Sequence, residues 1–416
     1  MTLIGAFLIN TIGGMNGAIS MFYLPVTGDL GFSQAEFAGY VSFMGIASIL
    51  VQPLLGRLLV RFRKYVRVIC LIAGIVGLLL FFLSARCSRL HQFYIVGALL
   101  SLFIPFFGIL LGVSVVSAWF EKYKSIAVSI VTMGTSIGTV IYSQIANHFI
   151  RAHSWRIGFV SLGISGFAAV FAAFLLISPA PDVLGLHPYG WEPEISKGSL
   201  LYGPTQKEAL KLKGLWLLCI SCLFCGIYVI GIQQSLAPML QVDFGYSSEF
   251  AALMLSLFSI LCCVGKLIMG VVYHRTGARI SFIYAGVLLI ISMLMILLLH
   301  SKTAVVVSMC VLGLGNMFGT VLISAYIQEM FGNREFSAIL GTANLFFMLG
   351  SVAAPFLVGG IVDFSSSYRG AYAAFIIMII LNVGLNLISE KLLRKKGFPC
   401  TETLKGNGIN GNAACH

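Results

Sequence analysis

A single lysine, Lys266, stands inside a long apolar stretch that runs from Phe250 to Tyr273. A cation at that depth in a bilayer costs on the order of 3 kcal/mol unless it faces a cavity or a partner, so it predicts a functional site. The chemistry open to such an ammonium group is the binding of an anion, for example a carboxylate. The alternative is snorkelling of the side chain toward the headgroups. Because the membrane boundary near His274 is about 12 Å away along a helix, we favour the functional interpretation.

Other polar residues lie at similar depth and could complete a site with Lys266. The candidates are Gln52, Tyr142, Gln234 and Asn316. Hydrogen bonding between helices is the commoner use of such residues, so each is a candidate only. Cys219, Cys222 and Cys225 have a spacing that would allow metal binding. Since they have no His or acidic neighbours, we interpret them as buried thiols and expect neither a metal nor a cofactor.

The elements that position these residues are membrane spans. Of 416 residues, 59% are hydrophobic and 10% are charged, and the mean hydropathy is +0.98, which excludes an ordinary soluble protein. A spanning helix needs about 20 apolar residues. Twelve stretches meet this condition: 3–24, 37–59, 66–85, 93–117, 125–149, 157–178, 215–240, 250–272, 280–300, 304–327, 337–361 and 370–389. None of them contains an Asp or Glu.

The net charge of +12 is unevenly distributed between the two sides of the predicted membrane. Nineteen Lys and Arg residues fall on the side of both termini. The other side has six, namely Arg86, Arg89, Arg151, Arg156, Lys302 and Arg369. The positive-inside rule therefore predicts cytoplasmic termini. Because no basic segment precedes the first apolar run at Leu3, we also expect an uncleaved first span. This topology also explains the basic composition, so we exclude nucleic acid as a partner.

The two halves of the chain repeat each other. The segment QPLLGRLLVRFRKYVR from Gln52 aligns with KLIMGVVYHRTGARIS from Lys266, so that Gly56 matches Gly270 and Gln52 lies opposite Lys266. Parallel six-helix repeats are a standard transporter architecture with the substrate site between the halves. We predict an all-α membrane protein with a bundle at 1–178, a cytoplasmic loop at 179–213, a second bundle at 214–391 and a disordered tail at 392–416.

A loop motif then suggests a family. The residues are Gly270, His274, Arg275, Gly277 and Arg279, and their spacing resembles the motif G-x-x-x-D-R-x-G-x-R of the major facilitator superfamily. The first copy keeps Gly56 and Arg61 but has Val60 at the acidic position. The resemblance implies twelve transmembrane helices in two pseudo-symmetric six-helix bundles, with the motif acting in conformational change. We expect its first glycine to allow close packing of helix on helix.

A second resemblance narrows the family. The run WFEKYK from Trp119, followed by Ile126-Ala127 and Gly134, resembles the helix 4–5 signature of monocarboxylate transporters and oxalate/formate antiporters, and PDVLGLHPYG from Pro181 is similar to a segment of their bacterial members. In this family a cation four residues before the helix 8 glycine pairs with the substrate carboxylate, and Lys266 reproduces that spacing. Asn344 takes the place of a second cation of the oxalate carrier. The resemblance implies a small organic anion, first of all a monocarboxylate, as the substrate.

Other functions were weighed against this one. A membrane enzyme would need paired carboxylates, a metal motif or an activated nucleophile, and the sequence has none of these. Export of hydrophobic compounds or transport of a neutral metabolite stays open, although neither gives Lys266 a role. The proton-coupled relatives have an aspartate where this chain has Cys262, which favours exchange, while Asp29, Glu36 or Asp363 could still support symport. We expect a monomer in the plasma membrane.

Overall fold

The computed structural model describes residues 1–101, 107, 111–120, 124–178, 181, 185–187, 189, 203–299, 301–332 and 334–395, with only the backbone at 50–61, 63, 117, 124–126, 320 and 337. Within these ranges the chain is helical and has no β-strand. The helices are α1 Thr2–Leu30, α2 Gln34–Arg61, α3 Val66–Arg86, α4 Leu90–Leu100 and Gly112–Trp119, α5 Lys124–Ala152, α6 Trp155–Leu176, α7 Lys213–Val242, α8 and α9 Ser248–Leu298, α10 Lys302–Gly315 and Ile323–Phe331, α11 Phe336–Ser365 and α12 Arg369–Arg394.

Each of the twelve predicted spans overlaps one of these helices, and residues 102–106 and 108–110 of the span 93–117 lie outside the described residues. Eight helices in the described part of the chain are long and apolar enough to cross a membrane, and one of them, Ser248–Leu298, contains two predicted spans. α8 and α9 are separated at Gly277, where the backbone leaves helical geometry. Helix is the expected form of these segments because lipid cannot satisfy backbone N–H and C=O groups. α12 continues to Arg394, and residues 396–416 of the predicted tail lie outside the described residues.

Glycines set which helices pack directly against one another. In the first half, a Cβ on Gly138 of α5 would stand 1.9 Å from the carbonyl oxygen of Thr11 in α1. In the second half, a Cβ on Gly226 of α7 would stand 2.0 Å from the carbonyl oxygen of Phe347 in α11. Neither position can hold a larger residue without separating two backbones, which is the role of small residues in membrane helix packing.

The same partners recur through both halves. Gly97 of α4 contacts Tyr40 of α2, as Gly265 of α8 contacts Met317 after the first part of α10. Gly74 of α3 contacts α6, as Gly286 of α9 contacts α12. Pairings α1–α5, α2–α4 and α3–α6 therefore correspond to α7–α11, α8–α10 and α9–α12. The repeat predicted from the sequence is present in the packing.

The helices form two compact units. The first holds α1–α6, residues 233–260 at the end of α7 and start of α8, and residues 355–368 at the end of α11. The second holds the rest of α7, α8 and α11 together with α9, α10 and α12. In the first unit the ends of α1, α3, α5, α7 and α11 meet on one side, which we call the distal side. The predicted domain boundaries at 178 and 214 stay predictions.

Candidate functional site

Lys266 lies on α8 of the second unit and is half-buried. Its neighbour Gly265 faces α10 so closely that a Cβ there would be 3.0 Å from the carbonyl oxygen of Gly313 and 2.8 Å from the side chain of Met317. The close approach of the two helices is possible because neither glycine has a side chain. Lys266 is therefore fixed beside the middle of α10.

At this level the α10 helix is broken. The first part ends at Gly315, Asn316 has φ −78° and ψ 55°, and a π-helical turn over Phe318–Leu322 precedes the second part. The amide of Met317 turns back to the carbonyl of Gly315 at 2.8 Å instead of continuing the helical ladder. Interrupted helices and π-turns are frequent at functional sites because they expose backbone polar groups and redirect side chains.

Asn316, Cys262 and Lys266 form a cluster at this break. The side chains of Asn316 and Lys266 both lie near the Cys262 thiol. The Oδ1 atom of Asn316 is buried and has no hydrogen-bond partner among the described residues. A buried acceptor without a partner costs about 1–3 kcal/mol. The cluster thus offers a cation and an unpaired acceptor side by side.

Two other predicted site residues make hydrogen bonds to α1 within the first unit. Gln234 is buried, and its Nε2 donates to the backbone oxygen of Asn16 at 2.8 Å, while its Oε1 has no partner among the described residues. The Tyr142 hydroxyl is buried 3.3 Å from Oγ1 of Thr11. These contacts are interhelical hydrogen bonds, the use that is commoner for polar residues in membranes.

The structure shows no contact that would assign a role to the last two predicted site residues, Asn344 and Gln52, within the described residues. Asn344 is exposed on α11. Gln52 lies on α2, but its side chain and that of Arg61 lie outside the described residues, and only the backbone of Gly56 is described. The structure therefore brings together Lys266 and Asn316, and it leaves the contribution of Gln52 and Asn344 as a prediction.

The structure shows why one of the two glycines in the second copy of the loop motif is required. Gly277 has φ +76° and ψ −179°, a backbone conformation that is essentially restricted to glycine, and it separates α8 from α9. The expectation of close packing at Gly270 is wrong for the described part of the chain, where no heavy atom lies within 4 Å of where its Cβ would stand. His274, Arg275 and Arg279 are exposed.

A charged network beside this motif was missed by sequence reasoning. The Tyr273 hydroxyl donates to Glu329 of α10, and Arg394 of α12 pairs with Glu329 at 3.4 Å and with Glu390 at 2.8 Å. The three helices are far apart in sequence, so only the spacing of Glu390 and Arg394 on one helix face could have suggested a part of it.

Polar contacts also join the two halves of the sequence on the distal side of the first unit. The Gln144 amide of α5 donates to Ser256 of α8 at 2.9 Å, and Arg151 of α5 pairs with Glu249 at the start of α8. Within the second half, the carboxylate of Asp243 accepts hydrogen bonds from the Tyr368 backbone amide at 3.0 Å and from the hydroxyl of Ser367. α8 is thus held to α5 there, and the segment after α11 is held to the end of α7.

The comparison with known families decides the assignment. The family model of the Major Facilitator Superfamily matches residues 6–247 and 219–398. The chain belongs to the major facilitator superfamily. It has the all-α membrane fold of that family, twelve transmembrane helices in two pseudo-symmetric bundles.

Curated relatives are distant. The chain is 26% identical to the MFS-type transporter pytF of Aspergillus terreus over 46% of this chain and 60% of that protein. It is 23% identical to monocarboxylate transporter 12 of Xenopus laevis over 100% of this chain and 95% of that protein. It is also 23% identical to the uncharacterized MFS-type transporter YhjX of Escherichia coli over 85% of each. The chain spans less than two thirds of pytF, so substrates are a matter for proposal.

Solved structures agree on the fold. The nucleoside transporter NupG matches with a TM-score of 0.72 and 14% identity over 94% of this chain and 98% of that chain. A bacterial homolog of the human lysosomal transporter Spinster, inward-facing and unoccupied, matches with a TM-score of 0.68 and 14% identity over 94% and 95%. At this identity the likeness concerns the fold alone.

Proposed function

We propose that this transporter moves a small organic anion, a monocarboxylate of the lactate, pyruvate or formate type, across the plasma membrane by alternating access. The observation that carries the proposal is the half-buried Lys266 beside the break in α10. Its ammonium binds the substrate carboxylate, and the unpaired Oδ1 of Asn316 accepts a hydrogen bond from the hydroxyl group of a substrate that has one, such as lactate. The monocarboxylate transporter 12 relatives support the same substrate class.

The charge balance favours a singly charged anion. Lys266 is the only Lys or Arg in the interior of the twelve predicted spans, since Arg57 and Arg67 lie within two residues of a span end, and the position of a second cation in the oxalate carrier holds the neutral Asn344. A compact ammonium group lacks the two-donor fork of arginine, so it tolerates several carboxylate geometries. Gln52, Gln234 and Tyr142 are the further predicted substrate contacts. Because Cys262 replaces the acidic residue of proton-coupled relatives, we propose anion exchange as the transport mode.

The excess of Lys and Arg on the side of the termini supports cytoplasmic termini. The distal side then faces the exterior, and the contacts there that join α5 to α8 must break when the transporter opens outward. Rocking of two six-helix repeats about a central site is the motion that this architecture allows.

Uptake into proteoliposomes tests the proposal. Labelled lactate, formate, pyruvate and oxalate are offered to the wild type, to Lys266→Gln and to Lys391→Gln, a matched control that removes an exposed lysine from the last turn of α12. We expect uptake of a monocarboxylate, its acceleration by internal substrate, its loss in Lys266→Gln and its retention in Lys391→Gln.

Normal transport in Lys266→Gln would refute the role of Lys266. Failure of all four acids would instead favour the alternative, export of hydrophobic compounds or transport of a neutral metabolite.

A further inference from the structure

A second polar site lies on the distal side of the first unit, between α5 and the start of α8. It is an open cleft of about 420 Å³ lined by Gln144, Asn147, His148, Arg151, Ala152 and Glu249. The hydrogen bond from Gln144 to Ser256 closes one end, and the ion pair of Arg151 and Glu249 spans the other. The volume is ample for a carboxylic acid of three or four carbon atoms.

Asn147 adds a buried polar side chain to the wall of the cleft. The residue is only 5% exposed, and its Oδ1 atom has no hydrogen-bond partner among the described residues. Buried polar atoms are nearly always paired, so an orphaned acceptor at a cleft wall requires a donor from a ligand or a water molecule. A hydroxyl group of a bound acid can supply it.

The charged groups of the cleft select an anion. Arg151 has five donor N–H groups and faces the single carboxylate of Glu249, and His148 adds another donor. The side chains of Arg151 and Glu249 are 49% and 60% exposed, so their pairing adds little to stability and water can replace either partner. An incoming carboxylate can therefore take the place of Glu249 on Arg151 at small cost.

We propose that this cleft is an outer binding site for small monocarboxylates, in which the substrate carboxylate displaces Glu249 from Arg151. The inference rests on the proposed function, because it assumes that the transported anion reaches the protein from the distal side. Displacement removes the ion pair between α5 and α8 and thereby weakens one contact that closes this side. Binding of the substrate in the cleft would therefore shift the protein toward the conformation that is open on the distal side.

Transport kinetics measured separately with lactate on each side of the membrane test the site. Arg151→Gln should raise the KM for lactate presented on the distal side about tenfold, equivalent to 1.4 kcal/mol, with no change in KM from the opposite side. Glu249→Gln should lower the distal KM because it removes the competing carboxylate. Arg156→Gln is the matched control, since Arg156 pairs with Asp29 on the same side but outside the cleft. Equal changes on both sides, or an effect of Arg156→Gln as large as that of Arg151→Gln, would overturn the proposal.

Labelling separates the outer site from the central one. Ala152→Cys places a thiol in the cleft for a membrane-impermeant maleimide, while the native Cys87 near this side reacts slowly because burial raises the pKa of its thiol to about 11. Lactate, but not uncharged lactamide, should slow labelling several-fold, both alone and combined with Lys266→Gln. If lactate protects only when Lys266 is intact, the outer site does not exist although the proposed function stands. If Lys266→Gln transports normally, the proposed function fails. Protection of Ala152→Cys by lactate would then still show whether lactate binds in the cleft.

Discussion

The carboxylate of Asp363, near the end of α11, accepts a hydrogen bond from the backbone amide of Gln34 at 3.0 Å and a second from Ala35 at 3.1 Å. These amides belong to the first turn of α2, where backbone N–H groups have no partner within the helix. One side chain of the second six-helix repeat thus caps a helix of the first. The Tyr368 hydroxyl adds a hydrogen bond to the Gln34 side chain at 3.3 Å.

Removing this cap should loosen the distal side. Loss of a capping side chain costs about 0.5–2 kcal/mol, and because Asp363 is exposed we expect the lower part of that range. Asp363→Ala should therefore increase the population opened on the distal side by roughly two- to fivefold. Spin labels at Ser88→Cys and Ser365→Cys, both exposed on that side, report the opening as a longer distance in pulsed electron resonance.

Asp29→Ala is the control for this experiment. Its carboxylate bonds Trp155 at 2.9 Å and Arg156 at 3.1 Å, so it joins only α1 and α6 of the first repeat. An unchanged distance distribution in Asp363→Ala, or the same shift in Asp29→Ala, would contradict a latch between α2 and α11.

The contacts of Asp363 show where sequence reasoning stops. Span positions could be predicted because hydrocarbon imposes length and apolarity on every helix separately. The capping of α2 joins residues 329 positions apart, and no local pattern encodes it. The same limit applies to Glu329, which meets Tyr273 and Arg394 only after three helices have packed.

One residue of the candidate site could be predicted from the sequence because the membrane also restricts where charged side chains can lie. Lys266 stands out because a charge is expensive in lipid. Asn316 was one amide among several, and Gln234 and Tyr142 turned out to bond α1. A signal for Asn316 was present, since Gly313 and Gly315 directly before it mark a weak point in a helix. The π-turn that follows has no comparable signature.

Substitution of Lys266 by arginine should preserve transport. The guanidinium group keeps the positive charge and adds two parallel donors for a carboxylate. We expect Lys266→Arg to retain lactate uptake with a lower KM, whereas Lys266→Gln loses it. Initial uptake rates over a range of lactate concentrations measure both values. Equal loss in the two variants would mean that shape, and not charge, is required at this position.

Asn316 should distinguish hydroxy acids from oxo acids. Its unpaired Oδ1 can accept a hydrogen bond from the hydroxyl group of lactate, and pyruvate has no such donor. The ratio of kcat/KM for lactate to that for pyruvate should fall about fivefold in Asn316→Ala, the loss of a hydrogen bond worth roughly 1 kcal/mol. Gln241→Ala is a matched control, because that amide bonds the Ala237 carbonyl of its own helix. A ratio that stays constant in Asn316→Ala would exclude this contact.

Gly277 and Gly270, two glycines of one loop motif, should respond in opposite ways to alanine. Gly277 has φ +76° and ψ −179°, so Gly277→Ala should lower the free energy of unfolding by about 1–3 kcal/mol. Gly270 lies inside helical structure with open space around its Cβ position, so Gly270→Ala should raise stability by about 0.5–1 kcal/mol through helix propensity. Thermal unfolding in detergent compares both variants with the wild type, and each melting temperature should move in its own direction. A loss of stability in Gly270→Ala as large as that in Gly277→Ala would mean that Gly270 serves close packing of helix on helix, as the sequence analysis expected.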